Sequence, residues 1–189
     1  MLARSITSLG RRAVLAAGLL ALTAGASLTI AADAQPQAGE MAPAISLPDQ
    51  TGKTVNLADY KGKWVVVYFY PKDQTPGCTT QACEFRDNIF EFRNAGAQIL
   101  GISVDDVASH KAFAEMHGLP FPLLADSTKA TATRYGVLTK MGDNAIASRQ
   151  TFLVDPAGKI VKHYNVGRDD LVGHSKLVLS DIATFKAKN

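Results

Sequence analysis

Apolar and polar positions alternate along the chain between strand-like and helix-like stretches. Lys63 to Tyr70 reads Lys-Trp-Val-Val-Val-Tyr-Phe-Tyr, a β-branched and aromatic run. Such a run predicts a strand over 64–70 that is buried on both faces. Pro71 ends it. Cys78, Ala82, Phe85, Ile89 and Phe92 then recur at four- and three-residue intervals, the period of one helix face, which predicts a helix over about 78–95. Thr75-Pro76-Gly77 is read as the turn and cap before it. Gln98 to Val104 is a second buried strand, and Val107 to His117 a second helix ended by Gly118. Phe121 to Ala125 is a short strand after Pro120, and Thr128 to Tyr135 a short helix closed by Gly136. Thr151 to Val154 and Ile160 to Val166 flank Asp155-Pro156-Ala157-Gly158, a hairpin signal, before an amphipathic helix over about Asp170 to Lys186. Upstream, Pro48 to Lys53 supplies turn residues inside Ile45 to Leu57, a further hairpin.

The β-α-β-α order matches an α/β class with a thioredoxin-like fold. A central mixed β-sheet flanked by helices and preceded by an N-terminal hairpin extension is expected. Residues 44–189 are expected to form that one domain, with 35–43 as a linker. The length is ample for a substantial core. No internal repeat stands out.

Residues 1–34 have a different character. Arg4, Arg11 and Arg12 precede an uncharged stretch rich in Ala, Leu and Gly from Ala13 to Ala32. Ala32-Asp33-Ala34 has the small-x-small pattern of a signal-peptidase site, which reads as an export signal and a bacterial periplasmic location. An uncleaved membrane anchor is the main alternative, since the stretch just reaches spanning length, although alanine and glycine dominate it. Arg11-Arg12 also resembles a twin-arginine signal, with Gly10 where a hydroxyl residue is usual. An organellar transit peptide is a third reading, because the first 32 residues lack acids and include Ser5, Thr7 and Ser8.

Charge narrows the partners. Lys+Arg 20 against Asp+Glu 17 gives +3, too little for a nucleic-acid footprint, and no basic cluster follows residue 34. The four histidines give no pair at the i, i+3 or i, i+4 spacing of a helical metal site. Asp105, Asp106, Asp169, Asp170 and Asp181 read as solvated or capping acids.

The candidate chemistry lies in Pro71 to Cys83, which carries both cysteines. Cys78 falls where a strand's loop meets a helix's first turn. Unpaired first-turn N–H groups and the helix macrodipole there favour thiolate over thiol, and the thiolate is the nucleophile. Its spacing also fits a small apolar side chain in the helix stripe, so both roles stay open on spacing alone. Cys83 lies five helical residues on, a rotation of about 140° and a rise of about 7.5 Å, which puts the two Cα atoms about 8.6 Å apart. A disulfide needs less than about 7 Å. The pair is therefore no static staple within an intact helix, but can bridge if the first turns unwind.

The motif Pro71-x3-Thr75-x2-Cys78 resembles the active-site motif of the peroxiredoxins. The fuller Tyr70 to Asp87 segment resembles their atypical two-cysteine branch, the Q-type or bacterioferritin comigratory protein group. Gly101 to Asp105, Ser109-His110, Leu119 to Asp126, Tyr135-Gly136-Val137 and Arg149 to Asp155 continue the likeness, which covers about Gly39 to Leu179. The resemblance implies that Cys78 is the peroxidatic cysteine and Cys83 the resolving one. Pro71, Thr75 and Arg149 would complete the peroxide pocket: Pro71 shields the thiolate from water, Thr75 hydrogen-bonds the peroxide, and Arg149 stabilises thiolate and departing oxyanion. By itself Arg149 would be an exposed charge at a strand's start. Gln81 is a departure, since many members carry an acid there; it is expected in the first helical turn, altering local charge more than reaction.

The implied activity is a thiol-dependent peroxidase. It reduces hydrogen peroxide and organic hydroperoxides through a Cys78 sulfenic acid and a Cys78–Cys83 disulfide, which thioredoxin or a similar dithiol recycles. No cofactor and no metal is expected, and no nucleic-acid partner. Membrane contact is expected only if the N-terminal stretch stays uncleaved. A monomer is expected, with a weak dimer as the alternative. Two other classes stand beside this reading. One is a thioredoxin-fold copper-binding metallochaperone using both thiols, as soft ligands suit Cu(I). The other is a structural protein with a permanent cross-link, which the helix geometry opposes.

Overall fold

The structure, a computed structural model, describes residues 34–188. The predicted export signal, up to Asp33, lies outside the described residues. Strands β1 (Ser46–Pro48) and β2 (Thr54–Asn56) pair as the predicted hairpin. Asp49 ties the turn by accepting from the Thr51 and Lys53 amides at 2.8 and 3.1 Å. A 3-10 turn at Leu57–Tyr60 leads into β3 (Trp64–Phe69), every residue of which is buried, as the unbroken apolar run predicts.

The long helix expected over 78–95 is two helices, α1 (Pro76–Asp87) and α2 (Ile89–Asn94). The break is at Asn88, where φ −106° and ψ 19° leave the helical region, and its Nδ2 donates to the Glu84 carbonyl at 2.9 Å. A short side chain that competes for backbone partners can end a helix without glycine or proline. Ile89 and Phe92 remain buried beyond it, so the apolar period hid the break.

Next come β4 (Ala97–Ser103), α3 (Val107–His117), β5 (Leu123–Ala125) and α4 (Ala130–Arg134). Asp106 caps α3 by accepting from the Ser109 amide at 2.8 Å, and Gly118 closes it in the left-handed region. A hairpin unassigned from sequence follows, β6 (Leu138–Met141) and β7 (Asn144–Ala147). All of β6 is exposed, so no buried face imposed an alternation to read. The chain ends with β8 (Gln150–Val154), β9 (Ile160–Asn165) and α5 (His174–Lys186). The last helix starts four residues later than expected, because Gly173 at φ +86° sits at its N-cap.

The central sheet runs β5-β4-β3-β8-β9; β3, β4 and β5 are parallel, and β8 and β9 antiparallel to their neighbours. This is the expected mixed sheet of a thioredoxin-like fold. Alternate residues of β3 serve two cores. Val66 and Tyr68 join Phe85, Phe113, Val178 and Ile182 on the face covered by α1, α3 and α5. Val65, Val67 and Phe69 join Ile45, Ala132, Tyr135 and Phe152 on the other. Each large side chain so buried stabilises the fold by about 1.5–3 kcal/mol. Gln35 to Pro43, read as a linker, runs along the domain: Gly39 N–H donates to the Ile160 carbonyl at 2.7 Å, and Met41 bridges to Lys159. Among the described residues no helix is long and apolar enough to cross a membrane.

Candidate active site

The site is built where β3 gives way to α1. Thr75 is the N-cap of α1 in extended conformation, and Pro76 takes the first helical position, where a missing N–H costs nothing. The first intrahelical bond is Thr79 N–H to the Thr75 carbonyl at 2.9 Å, so the Gly77 and Cys78 amides lie ahead of the helical ladder. Pro76 and Gly77, read as turn residues, thus belong to the helix, with Cys78 still in its first turn. Cys78 is 1% exposed and Cys83 half-buried; both are free thiols on one continuous helix. A Cβ on Gly77 would stand 3.3 Å from Arg149 Nη2 and 3.4 Å from Leu171 Cδ1. Glycine there lets the arginine and the following loop close on the helix turn.

Arg149 arrives at the start of the strand that neighbours β3. Because β8 pairs antiparallel with β3 and Gln150 faces Phe69, the preceding Arg149 falls where β3 ends and the loop to α1 begins. Its Nη2 donates to Cys78 Sγ at 3.2 Å, and its Nη1 to Gln81 Oε1 at 2.7 Å. Arg149 is half-buried rather than an exposed strand-start charge. Gln81 needs correction too. With α1 beginning at Pro76 it lies in the second turn, fully buried, and its amide oxygen holds the guanidinium that contacts the thiol. It is part of the site's geometry rather than a modifier of local charge. Its Nε2 has no partner among the described residues.

The loop that carries Pro71 and Thr75 is held from below. Asp73 is 5% exposed and accepts from Tyr70 Oη at 2.7 Å and Ser109 Oγ at 2.7 Å, and lies 2.8 Å from His110 Nδ1. Its backbone N–H donates to Asp105 Oδ2 at 2.9 Å. Burial alone would raise the Asp73 carboxyl, but the His110 hydrogen bond and charge, with Tyr70 and Ser109, outweigh it and hold the group below the usual carboxylate range. Gln74 sits at φ +58°, a left-handed conformation uncommon for a residue with a side chain, and is fixed between the anchored Asp73 and the helix cap. Thr75 Oγ1 donates to the Lys72 carbonyl at 3.0 Å, leaving its lone pairs to accept a further proton. Pro71 is half-buried at the loop's start.

Arg149 therefore touches Cys78, while Pro71 and Thr75 share the loop that enters its helix and Cys83 sits farther along that helix. Sequence reasoning missed Asp73, His110 and the supporting part of Gln81. Asp73 and Gln81 stand inside the central motif and His110 in another segment of the resemblance, but nothing in the sequence says that Asp73 and His110 meet or that Gln81 holds Arg149. His174 is also buried, with Nε2 3.0 Å from Thr151 Oγ1, and burial lowers its pKa to about 4. Among the described residues no three His, Cys, Asp or Glu side chains come together as a metal site.

The AhpC/TSA family matches residues 38–163. The chain is 48% identical over 127 residues to the chloroplastic peroxiredoxin Q of Triticum aestivum, covering 67% of this chain and 58% of that relative. It thus spans under two thirds of the length of that plant protein. The structure is similar to a Xylella fastidiosa PrxQ with TM-score 0.75 and 30% identity, over 81% of this chain and 99% of that one. It is also similar to the bacterioferritin comigratory protein of Xanthomonas campestris, studied for alkyl peroxide reduction, with TM-score 0.69 and 35% identity over 75% of this chain and 91% of that one. Nothing in these likenesses supports the copper-carrier alternative.

Proposed function

Because the chain belongs to the AhpC/TSA family, we propose that it is a thiol-dependent peroxidase with Cys78 as the attacking thiolate. The contact that carries this reading is the 3.2 Å hydrogen bond from Arg149 Nη2 to Cys78 Sγ at the first turn of α1. A guanidinium donor and the unpaired amides of a helix N-terminus both lie at this sulfur, where they can stabilise negative charge. Cys78 sulfur attacks the outer peroxide oxygen; the S–O bond forms as the O–O bond breaks. The leaving oxygen takes up a proton and departs as water or alcohol. Arg149 stabilises the charge moving onto that oxygen, Thr75 accepts the peroxide's proton-bearing end, and Pro71 keeps water from the thiolate. Cys83 then condenses with the Cys78 sulfenic acid, and thioredoxin or a similar dithiol reduces the bridge.

Hydrogen peroxide and small organic hydroperoxides are the proposed substrates, and the described chain is proposed to act as a monomer. The domain is assigned to 44–189, preceded by the 35–43 segment and an export signal at 1–34. Bacterial periplasmic export is the first reading of that signal. An uncleaved membrane anchor and an organellar destination are the alternatives, the second in keeping with the chloroplastic wheat relative. The N-terminal sequence and cell fraction of the native protein decide between them, together with the kind of dithiol it meets.

The test is peroxide consumption by metal-free full-length protein supplied with thioredoxin and its reductase. Turnover with both hydrogen peroxide and an alkyl hydroperoxide, lost in Cys78→Ser, is expected. Turnover that vanishes with a chelator and returns with copper would overturn the reading.

A further inference from the structure

The helix that carries both thiols is tied to the last helix by polar contacts for which the peroxidase chemistry has no use. Glu84, the residue after Cys83, accepts at Oε2 from the backbone N–H of Gly173 at 3.0 Å and from Ser175 Oγ at 3.2 Å. Asn88, at the end of α1, donates from Nδ2 to the same Ser175 Oγ at 3.0 Å. Helix α5 has no side-chain cap of its own, since Gly173 holds the N-cap position. A carboxylate at a helix N-terminus satisfies orphan N–H groups and suits the macrodipole. Helix α1 thus supplies the cap that α5 lacks, and Ser175 is fully buried beneath it.

The loop before α5 reaches the thiol's own helix turn. Leu171 Cδ1 lies 3.4 Å from where a Gly77 Cβ would be, and Leu171 shares a core cluster with Cys78, Ala82 and Phe85. Beside this loop is a cleft of about 420 Å³, lined in part by Tyr164, Val166, Val172 and Leu177. One side of the loop therefore faces space rather than packed core.

We propose that Glu84 is a redox-released latch: it holds the α5 N-terminus and the 167–173 loop against α1 while both thiols are reduced, and lets go when they bridge. The inference rests on the peroxidase reading. In the resolving step the Cys83 sulfur attacks the sulfur of the Cys78 sulfenic acid; an S–S bond forms, the S–O bond breaks, and the hydroxyl leaves with the thiol proton as water. Cα atoms about 8.6 Å apart in a regular helix must come within about 7 Å, so the turn containing Cys83 unwinds. Glu84 moves with its neighbour and leaves Gly173 and Ser175 without their acceptor. Glu84 touches no reacting atom; by holding α1 against α5 it restrains that step.

The experiment is amide hydrogen exchange on the full chain, with rapid-mixing kinetics of each oxidation step. In wild type, the amides of residues 173–178 should exchange faster after one equivalent of hydrogen peroxide. In Glu84→Ala they should exchange fast already in the reduced state, with no further rise on oxidation. Disulfide formation in that variant should be about fivefold faster, the factor one helix cap is worth, with sulfenic acid formation within about twofold of wild type. Glu84→Gln keeps an acceptor oxygen and should fall between the two. A variant that is merely destabilised would not speed one step selectively. Diamide, which bridges thiols without peroxide, separates this proposal from the reading beneath it. A diamide-bridged wild type with unchanged exchange at 173–178 overturns the latch even if the protein turns over peroxide. A protein inert to peroxide whose diamide bridge frees those amides overturns the peroxidase reading and upholds the latch.

Discussion

Arg149 donates to Cys78 Sγ at 3.2 Å although 71 positions of chain separate them. The antiparallel register of β8 on β3 makes the contact, and Gln81 Oε1 fixes the guanidinium's second arm at 2.7 Å. The fork thus spans two residues on one helix, three positions apart. A planar guanidinium can do this, and an ammonium cannot.

Arg149→Ala should slow sulfenic acid formation by about 100- to 1,000-fold, the range seen when one preorganised donor to a developing oxyanion is removed. Arg149→Lys should recover only part of it. Single-turnover mixing with hydrogen peroxide, followed by tryptophan fluorescence, measures both. A wild-type rate in Arg149→Ala would remove the residue from the site.

Gln81→Ala should lower the same rate by about tenfold, since a hydrogen bond to a charged group is worth about 1.5–3 kcal/mol and only part of it bears on the transition state. Arg149 would still reach the sulfur, but with one arm free. The loss should appear in the peroxide step and leave disulfide formation unchanged.

Thr75→Ser should keep activity and Thr75→Val should lose it. The hydroxyl donates to the Lys72 carbonyl at 3.0 Å, so what it offers the peroxide is a lone pair. Peroxide titration curves of the two variants distinguish loss of the acceptor from loss of the methyl group.

Oxidised wild type should show faster amide exchange from about Thr79 to Asn88, with β3 and β4 still protected, because bridging Cys78 to Cys83 breaks hydrogen bonds of α1. Cys83→Ser should lose this response and accumulate a sulfenic acid that a trapping reagent labels and excess peroxide drives to sulfinic acid. Mass mapping that finds no bridge within a chain would refute Cys83 as the resolving thiol.

Acid should weaken the fold through His174. Burial lowers its pKa from 6.5 to about 4, with Arg149 also lowering it and Asp170 and Glu84 opposing. The folded state therefore holds the neutral ring. Its contribution is complete above the unfolded value and lost as pH falls from 6.5 toward 4, a loss of up to about 3 kcal/mol. Urea unfolding across that range should show the decline in wild type and a flatter profile in His174→Gln.

The sequence by itself determined the layered fold and the place of the thiol. A β-branched and aromatic run as unbroken as 64–70 reads as a strand covered on both faces, and Thr75-Pro76-Gly77 ahead of Cys78 marks where a helix begins. These are local matters, settled by side-chain period and backbone preference. The Asn88 break was also local but masked, since Ile89 and Phe92 keep the apolar period across it. Tertiary structure decided the rest. Whether Arg149 is a surface charge or a thiol's partner depends on strand register, which pairs Gln150 with Phe69 across distant parts of the chain. Gln81 acquires its meaning only from that arginine, and Asp73 only from Ser109 and His110 on α3. Glu84 reads as one more helical acid until α5 folds against it with a bare glycine at its start. Hydrogen bonds between residues far apart in sequence leave no period in the chain, so only the folded geometry reveals them.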